Sequence, residues 1–357
     1  MPLYLAADAS LLAVPNLASC VEEAELILRR IIYWSKYVSA NTPRIAIMSN
    51  TVETLVLGGY FPSPPNVVAL LQMFHLEGVY SSRDIQASIN TILDRSIHLL
   101  DALDVEVVDH THDITNPDLG AFRHERVLYT AAISCFCSSI CGVVNSTFDI
   151  AFAVSGMPIP PGPLQIKCQV DEIIGNGTFF APFSVFGTTR LIETLTDAAV
   201  LIGSTALWRN AREASELHLA IATRAVELLR ASGREATLGD VAPFGIGTEF
   251  FNSLATCDAR GDGGHAKVVL EACARIVLGD PKYQVEPLRQ NRRGRSEILR
   301  RTDSASARRT HVTKRHEAIR LMFWSRPGMQ IEFANIGVKG ELRIYEGDIR
   351  NAFHMRW

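Results

Sequence analysis

The chain of 357 residues has no Cys-x-x-Cys pair, and its seven cysteines are an odd number with no small-domain spacing. That argues against a disulfide-stapled secreted fold and for thiols in a reducing cytosol. The amino terminus, MPLYLAADAS, lacks a basic stretch and already carries Asp8, so no signal peptide and a cytoplasmic location are expected. No glycine cluster has P-loop or dinucleotide spacing. Gly245-Ile-Gly247 and Gly261–Gly264 fit neither pattern, and Gly175-Asn-Gly177 reads as a turn. No internal repeat is visible. Charged residues make up only 20% against 47% hydrophobic, a balance that builds cores and argues against disorder.

One charge-free run, Val127–Phe148, is 22 residues long, enough to span a bilayer. It holds Thr130, Ser134, Ser138, Ser139, Asn145, Ser146 and Thr147, so a buried core segment is expected and no membrane partner. Cys135, Cys137 and Cys141 within it are expected to be buried and free of metal, because their surroundings are apolar.

What is present is an uneven charge. The net value is −3, yet residues 280–357 hold 17 Lys/Arg against 9 Asp/Glu, net +8, which leaves −11 on residues 1–279. Such a division is the pattern of a segment that approaches a polyanion.

At this length two or three domains are expected. Residues 1–118 read as an α/β domain with a mainly parallel sheet, since strand-like runs (Leu3–Ala6, Arg44–Ser49, Asp104–Asp109) alternate with helical ones. Ser19-Cys-Val-Glu22 has the form of a capping box, opening a helix to about Ser39. Pro65–Leu76 and Ser82–Leu103 also read as helices. Residues 119–279 read as a largely helical apolar domain, with Thr188–Arg230 as one or two long helices, loops over Gly239–Gly264 around a short helix at Glu249–Thr256, and a closing helix at His265–Leu278. After Gly279-Asp280-Pro281 the composition turns basic. Residues 280–357 read as a small antiparallel β unit (α+β), with strands at Ala318–Trp324, Ile331–Val338 and Glu341–Tyr345, the first two joined by a Ser-Arg-Pro-Gly turn.

Between Lys282 and Arg326 stand 13 Lys/Arg together with His311 and His316. Such groups hold phosphate oxygens, arginine through a two-pronged fork. Arg292, Arg293, Arg295, Arg308, Arg309, Lys314, Arg315 and Arg343 are the expected nucleic-acid contacts. Strand alternation turns Ile319, Leu321 and Phe323 to a core and Arg320, Met322 and Trp324 to the other face; Leu342 and Ile344 then point inward and Arg343 and Tyr345 outward. A face with Arg320, Arg343, Tyr345 and Trp324 stacks a base and grips a phosphate.

The run EAIRLMFWSRPGMQIEFANIGVKGELRIYEG resembles the last strands of RelE-type toxin ribonucleases. Arg320 stands at the family's arginine, Lys339 at its later basic residue and Tyr345 at its tyrosine. The resemblance covers about 40 residues; Lys339 replaces the usual arginine and lies further from Tyr345 than in the family. It implies metal-free and cofactor-free RNA cleavage of toxin or host-defence type, with Arg320 or Lys339 stabilising the phosphorane and His311, His316 or Tyr345 moving protons.

Two other patterns compete. Asp109-His110-Thr111-His112-Asp113 follows a strand, where two imidazoles on one side offer a divalent metal site a little like the metal-binding entry of amidohydrolase-type enzymes. Asp8, after a strand, resembles the first acidic position of PIN-type nucleases, with Glu22, Glu53, Asp101 and Asp109 as further carboxylates. The expected function is therefore a nucleic-acid-directed effector that acts on RNA ahead of DNA, with a protein partner or sensor subunit. The alternatives are a non-catalytic scaffold and a metal-dependent hydrolase using Asp109, His110 and His112.

Overall fold

The computed structural model describes the chain apart from residues 1–3, 8, 15–17, 40–43, 48, 50, 100, 102–104, 117–151, 155–161, 176–177, 181–182, 290–296, 314–317, 327–330, 342, 348–351 and 356–357; along 105–116 and 152–191 it describes the backbone alone. The chain forms two compact units, Leu3–Thr194 and Leu195–Trp357.

The first unit opens with β1 (Tyr4–Ala7), α1 (Val21–Ser39), β2 (Arg44–Ile47), α2 (Thr51–Gly58), α3 (Pro64–Met73), α4 (Ser82–Arg95) and β3 (Ile97–His98). Helix α1 forms because Ala24, Ile27, Leu28, Ile31, Trp34 and Val38 recur at helical spacing and are all buried. Its first turn is tied by Glu23, whose Oε2 accepts from Ser19 N and Oγ, both at 2.7 Å; the sequence pattern had pointed to Glu22. Ser63 and Ser81 cap α3 and α4 by accepting from Asn66 N and Asp84 N. Then follow β4 (Val105–Asn116), β5 (Phe152–Val154), β6 (Gly162–Gly175), β7 (Thr178–Phe180) and β8 (Phe183–Leu191). The sheet order is β3-β2-β1-β5-β8-β6-β4, with β7 on β6. From β3 to β8 neighbours are parallel; β8, β6, β4 and β7 pair antiparallel.

Of the three N-terminal strands expected, the first two form β1 and β2 and pair in parallel; the third, at Asp104–Asp109, enters β4, which pairs antiparallel with β6, and Ile97–His98, expected within a helix, is β3. The helical expectation for 119–279 is not met over 152–191, where four strands stand. Long antiparallel ladders (Gly162↔Leu191 to Val170↔Phe183, and Val105↔Gly175 to Asn116↔Gln165) satisfy the backbone there, a non-local pairing that apolar content alone does not reveal. Strand β4 also runs through Asp109–Asp113 instead of ending before it, because β6 pairs along it.

The second unit comprises α5 (Leu195–Ile202), α6 (Ser204–Asn210), α7 (Ala214–Ala231), β9 (Phe244–Ile246), α8 (Phe250–Thr256), α9 (Ala266–Val277), β10 (Glu286–Pro287), β11 (Ser306–His311), β12 (Arg320–Ser325), β13 (Ile331–Gly337) and β14 (Phe353–His354). Its six-stranded sheet has the order β10-β11-β12-β13-β9-β14. Neighbours are antiparallel except β13 and β9. The sheet therefore takes strands from both sides of the 279/280 boundary expected from composition. Gly245 is a strand residue of β9 and Gly247 follows it directly: a Cβ on Gly245 would lie 2.3 Å from His354 Cε1, and one on Gly247 2.9 Å from Phe333 O, so glycine lets β14 and β13 close on β9.

One face of this sheet carries the aromatic core. Phe333 meets Phe244, Phe250 and Phe323 at centroid separations of 5.9, 5.6 and 6.4 Å. His218 of α7 stacks on Phe244 at 3.9 Å. Ser253 Oγ of α8 accepts from Ile336 N at 3.0 Å. The expected strand over Glu341–Tyr345 is not formed among its described residues. That stretch is held over β13 by a side chain: Asn335 Nδ2 donates to Arg343 O (3.1 Å), and Asn335 Oδ1 accepts from Tyr345 N (3.2 Å).

Among the described residues no helix is long and apolar enough to cross a membrane. Val127–Phe148, with Cys135, Cys137 and Cys141, lies outside them, as does Asp8.

Candidate nucleic-acid interface

Strands β11 and β12 set the geometry. Ala307↔Trp324, Arg309↔Met322 and His311↔Arg320 are cross-strand partners, so these six side chains share one face, away from Leu321. Alternation thus assigns the parity of Arg320, Met322 and Trp324 correctly. It does not make the face open. Trp324 and Met322 are fully buried in a second core with Leu288, Ala305, Ala307 and Ala334, and Ile298 and Ile344 pack against it. The expected base-stacking role of Trp324 is overturned: its ring is inside, and its Nε1 donates to Tyr345 O at 2.9 Å. A β-strand buried on both faces reads as the unbroken apolar run Leu-Met-Phe-Trp.

Several cations of this segment turn inward as well. Arg300 has a fully buried side chain that spends all five N–H donors: Nη1 and Nη2 on the Glu332 carboxylate (2.7 and 3.0 Å), Nε and Nη2 on Asp303 (2.9 and 2.8 Å), and Nη1 on Glu346 O (3.1 Å). Its guanidinium lies 5.1 Å from the Trp324 ring centre. Arg326 pairs with Asp303 and Glu332 at 2.8 and 3.1 Å. Hydrogen bonds from Arg300 hold the Asp303 carboxyl down at about 2. Carboxylates also face two of the expected phosphate contacts: Glu297 lies 3.6 Å from Arg308, and Glu286 3.1 Å from Arg309. The charge of +8 is in part internal structure.

The other end of the face differs. His311 and Arg320 are half-buried partners at the ends of their strands, and with Arg309, Gln284, Glu286 and Thr310 they line one shallow depression. Its neighbour is an open cleft between α9 and β11 that shares Thr310 and His311 and includes Arg275, Lys282 and Tyr283. Sequence reading found His311, Arg309 and Arg320; it missed Gln284, Arg275, Lys282 and Tyr283. Lys282-Tyr283, directly after Gly279-Asp280-Pro281, was the available signal.

The remaining expected residues fall elsewhere. Tyr345 is held at the level of Met322 and Trp324, and its ring carries the Arg343 guanidinium 4.5 Å from its centre. Lys339 and Arg343 are exposed, Lys339 in the turn after β13. Arg292, Arg293, Arg295, Lys314, Arg315 and His316 lie outside the described residues, as do the side chains of Asp109, His110 and His112. Among the described residues no group of three or more His, Cys, Asp or Glu side chains is arranged to hold a metal.

Comparison with protein-family models, curated proteins and solved structures finds no match to this chain.

Proposed function

We propose that the second unit binds RNA at the His311–Arg320 end of its sheet and cleaves it without metal or cofactor, as a cytoplasmic effector of toxin or host-defence type whose remaining surface docks a protein partner or sensor. The observation that supports this reading is the direct cross-strand pairing of His311 with Arg320 beside Arg309 in one depression. A phosphate seated there meets two guanidinium groups. His311 accepts the proton of the neighbouring 2′-hydroxyl as its oxygen bonds to phosphorus. Arg320 offsets the charge of the phosphorane, and the 5′-oxygen leaves with a proton from solvent. The Arg309–Glu286 ion pair, at 3.1 Å, is partly open to solvent, which weakens it, so a phosphate can displace the carboxylate.

The test is single-turnover RNA cleavage in EDTA by the wild type, Arg320→Ala and His311→Ala. Arg320→Ala is expected to lose on the order of 10²–10³ in rate, as other lost oxyanion donors do. Retention on RNA is expected to fall far less. No cleavage by the wild type, or equal rates for all three, would leave the second reading: binding without cleavage. The observation that favours this second reading is the internal pairing of Arg300, Arg308, Arg309 and Arg326, which gives much of the basic character a structural use.

A further inference from the structure

Resting on that reading, we infer that the cleft between α9 and β11 takes an unpaired nucleobase, so that the substrate is single-stranded RNA. Two adjoining depressions share Thr310 and His311. One is charged and small, with Arg309, His311 and Arg320 in its lining. The other is walled by Val268, Ala272, Ile276, Pro281 and Val312 together with Tyr283, whose ring centre lies 5.7 Å from Lys282 Nζ. A polyanion read by charge alone has no use for an apolar wall next to its phosphate site. A nucleotide has both parts, a charged phosphate and a flat apolar base, and aromatic side chains beside basic grooves are the usual receivers of unstacked bases.

The electrostatics of the cleft agree. Arg275 and Lys282 stand on its rim, and Lys282 is exposed. Glu271, the one carboxylate among the described residues of its lining, is hydrogen-bonded by both Arg224 and Arg275, the latter at 2.8 Å, so its charge is offset. Arg275 is in turn steadied by Asp280 at 2.8 Å. Bases in a duplex are paired and stacked inside it and cannot reach such a cleft without being extruded. The site therefore selects strands whose bases are already free.

The experiment measures binding of the intact protein at one fixed salt concentration to four probes. These are a single-stranded RNA oligonucleotide, the same strand annealed to its complement, an abasic strand of equal length, and polyphosphate of matched charge. The single strand is expected to bind about 5- to 150-fold tighter than the abasic strand, the range of one base–aromatic stack. The duplex and polyphosphate are expected to bind like the abasic strand. Tyr283→Ala and the cleft-filling Ala272→Leu, each checked for an unchanged melting temperature, should remove the advantage of the base-bearing strand and leave abasic binding as it was. Equal affinity for the single strand and either the abasic strand or the duplex overturns the base cleft while leaving the phosphate site standing. Absence of binding to all four probes overturns the RNA reading itself, and the cleft with it.

Discussion

Replacing Arg300 by methionine tests whether the charge network under Trp324 holds the second unit together. Methionine fills much of the volume but supplies none of the five donors that Arg300 directs at Glu332, Asp303 and Glu346 O. Glu332 is 2% exposed and keeps one ion pair, to Arg326 at 3.1 Å. Removing one partner of a buried pair costs about 3–5 kcal/mol, because the other charge stays desolvated. Since Arg326 remains, a loss near the lower end, about 3 kcal/mol, is expected. The double variant Arg300→Met/Glu332→Met removes one charge of each sign and leaves Arg326 with Asp303, so it should be more stable than Arg300→Met alone. The assay is urea unfolding of the intact protein, with amide exchange of β12 and β13 read by mass spectrometry as the local measure. A loss below about 1 kcal/mol for Arg300→Met, or a double variant as unstable as the two singles summed, would show that the network does not carry this weight.

Asp303, held down at about 2 in the folded chain against an ordinary 3.8, takes up its proton more readily once unfolded. Its contribution is full above pH 3.8 and is lost as pH falls toward 2, so the acid limb of stability over that interval should flatten in Arg300→Met, measured by unfolding at stepped pH. His218 is fully buried, and burial lowers its imidazole to about 3 from 6.5. The unfolded chain then binds a proton that the folded chain refuses, so stability is complete above pH 6.5 and declines as pH falls toward 3, by up to about 1.4 kcal/mol per unit; if urea midpoints of His218→Leu show the same decline as the wild type over that window, the assignment fails. Trp324→Ala is expected to cost about 3–5 kcal/mol as a core cavity, while RNA retention per folded molecule stays unchanged. A fall in retention with stability intact would return Trp324 to the surface role that its burial denies.

The local chemistry of this chain was legible in its residues. The stripe Ala24–Val38 and serines 63 and 81 specify helices whatever lies around them, because caps and helical periodicity act within a few residues. The strand identity of Arg320–Ser325 and Ile331–Gly337 and the parity of Arg320, Met322 and Trp324 were legible too. Pairing was not. Strand β9, read as glycine-rich loop, is a strand because β13 and β14 close on it. The ladder of β4, β6 and β8 joins segments far apart, and the apolar stretch that contains β6 and β8 read as helix. Parity tells which way a side chain points but not what meets it: Met322 and Trp324 point where they were expected and are buried by Ile298, Ala305 and Ile344. Basic composition, likewise, is blind to partners. Glu332 and Asp303 turn Arg300 and Arg326 into internal structure, while the register of β11 on β12 sets His311 beside Arg320. Sequence fixes the charges and their alternation along each strand; only the fold, by bringing remote carboxylates and cover segments to one face, decides which of those charges remain to meet a ligand.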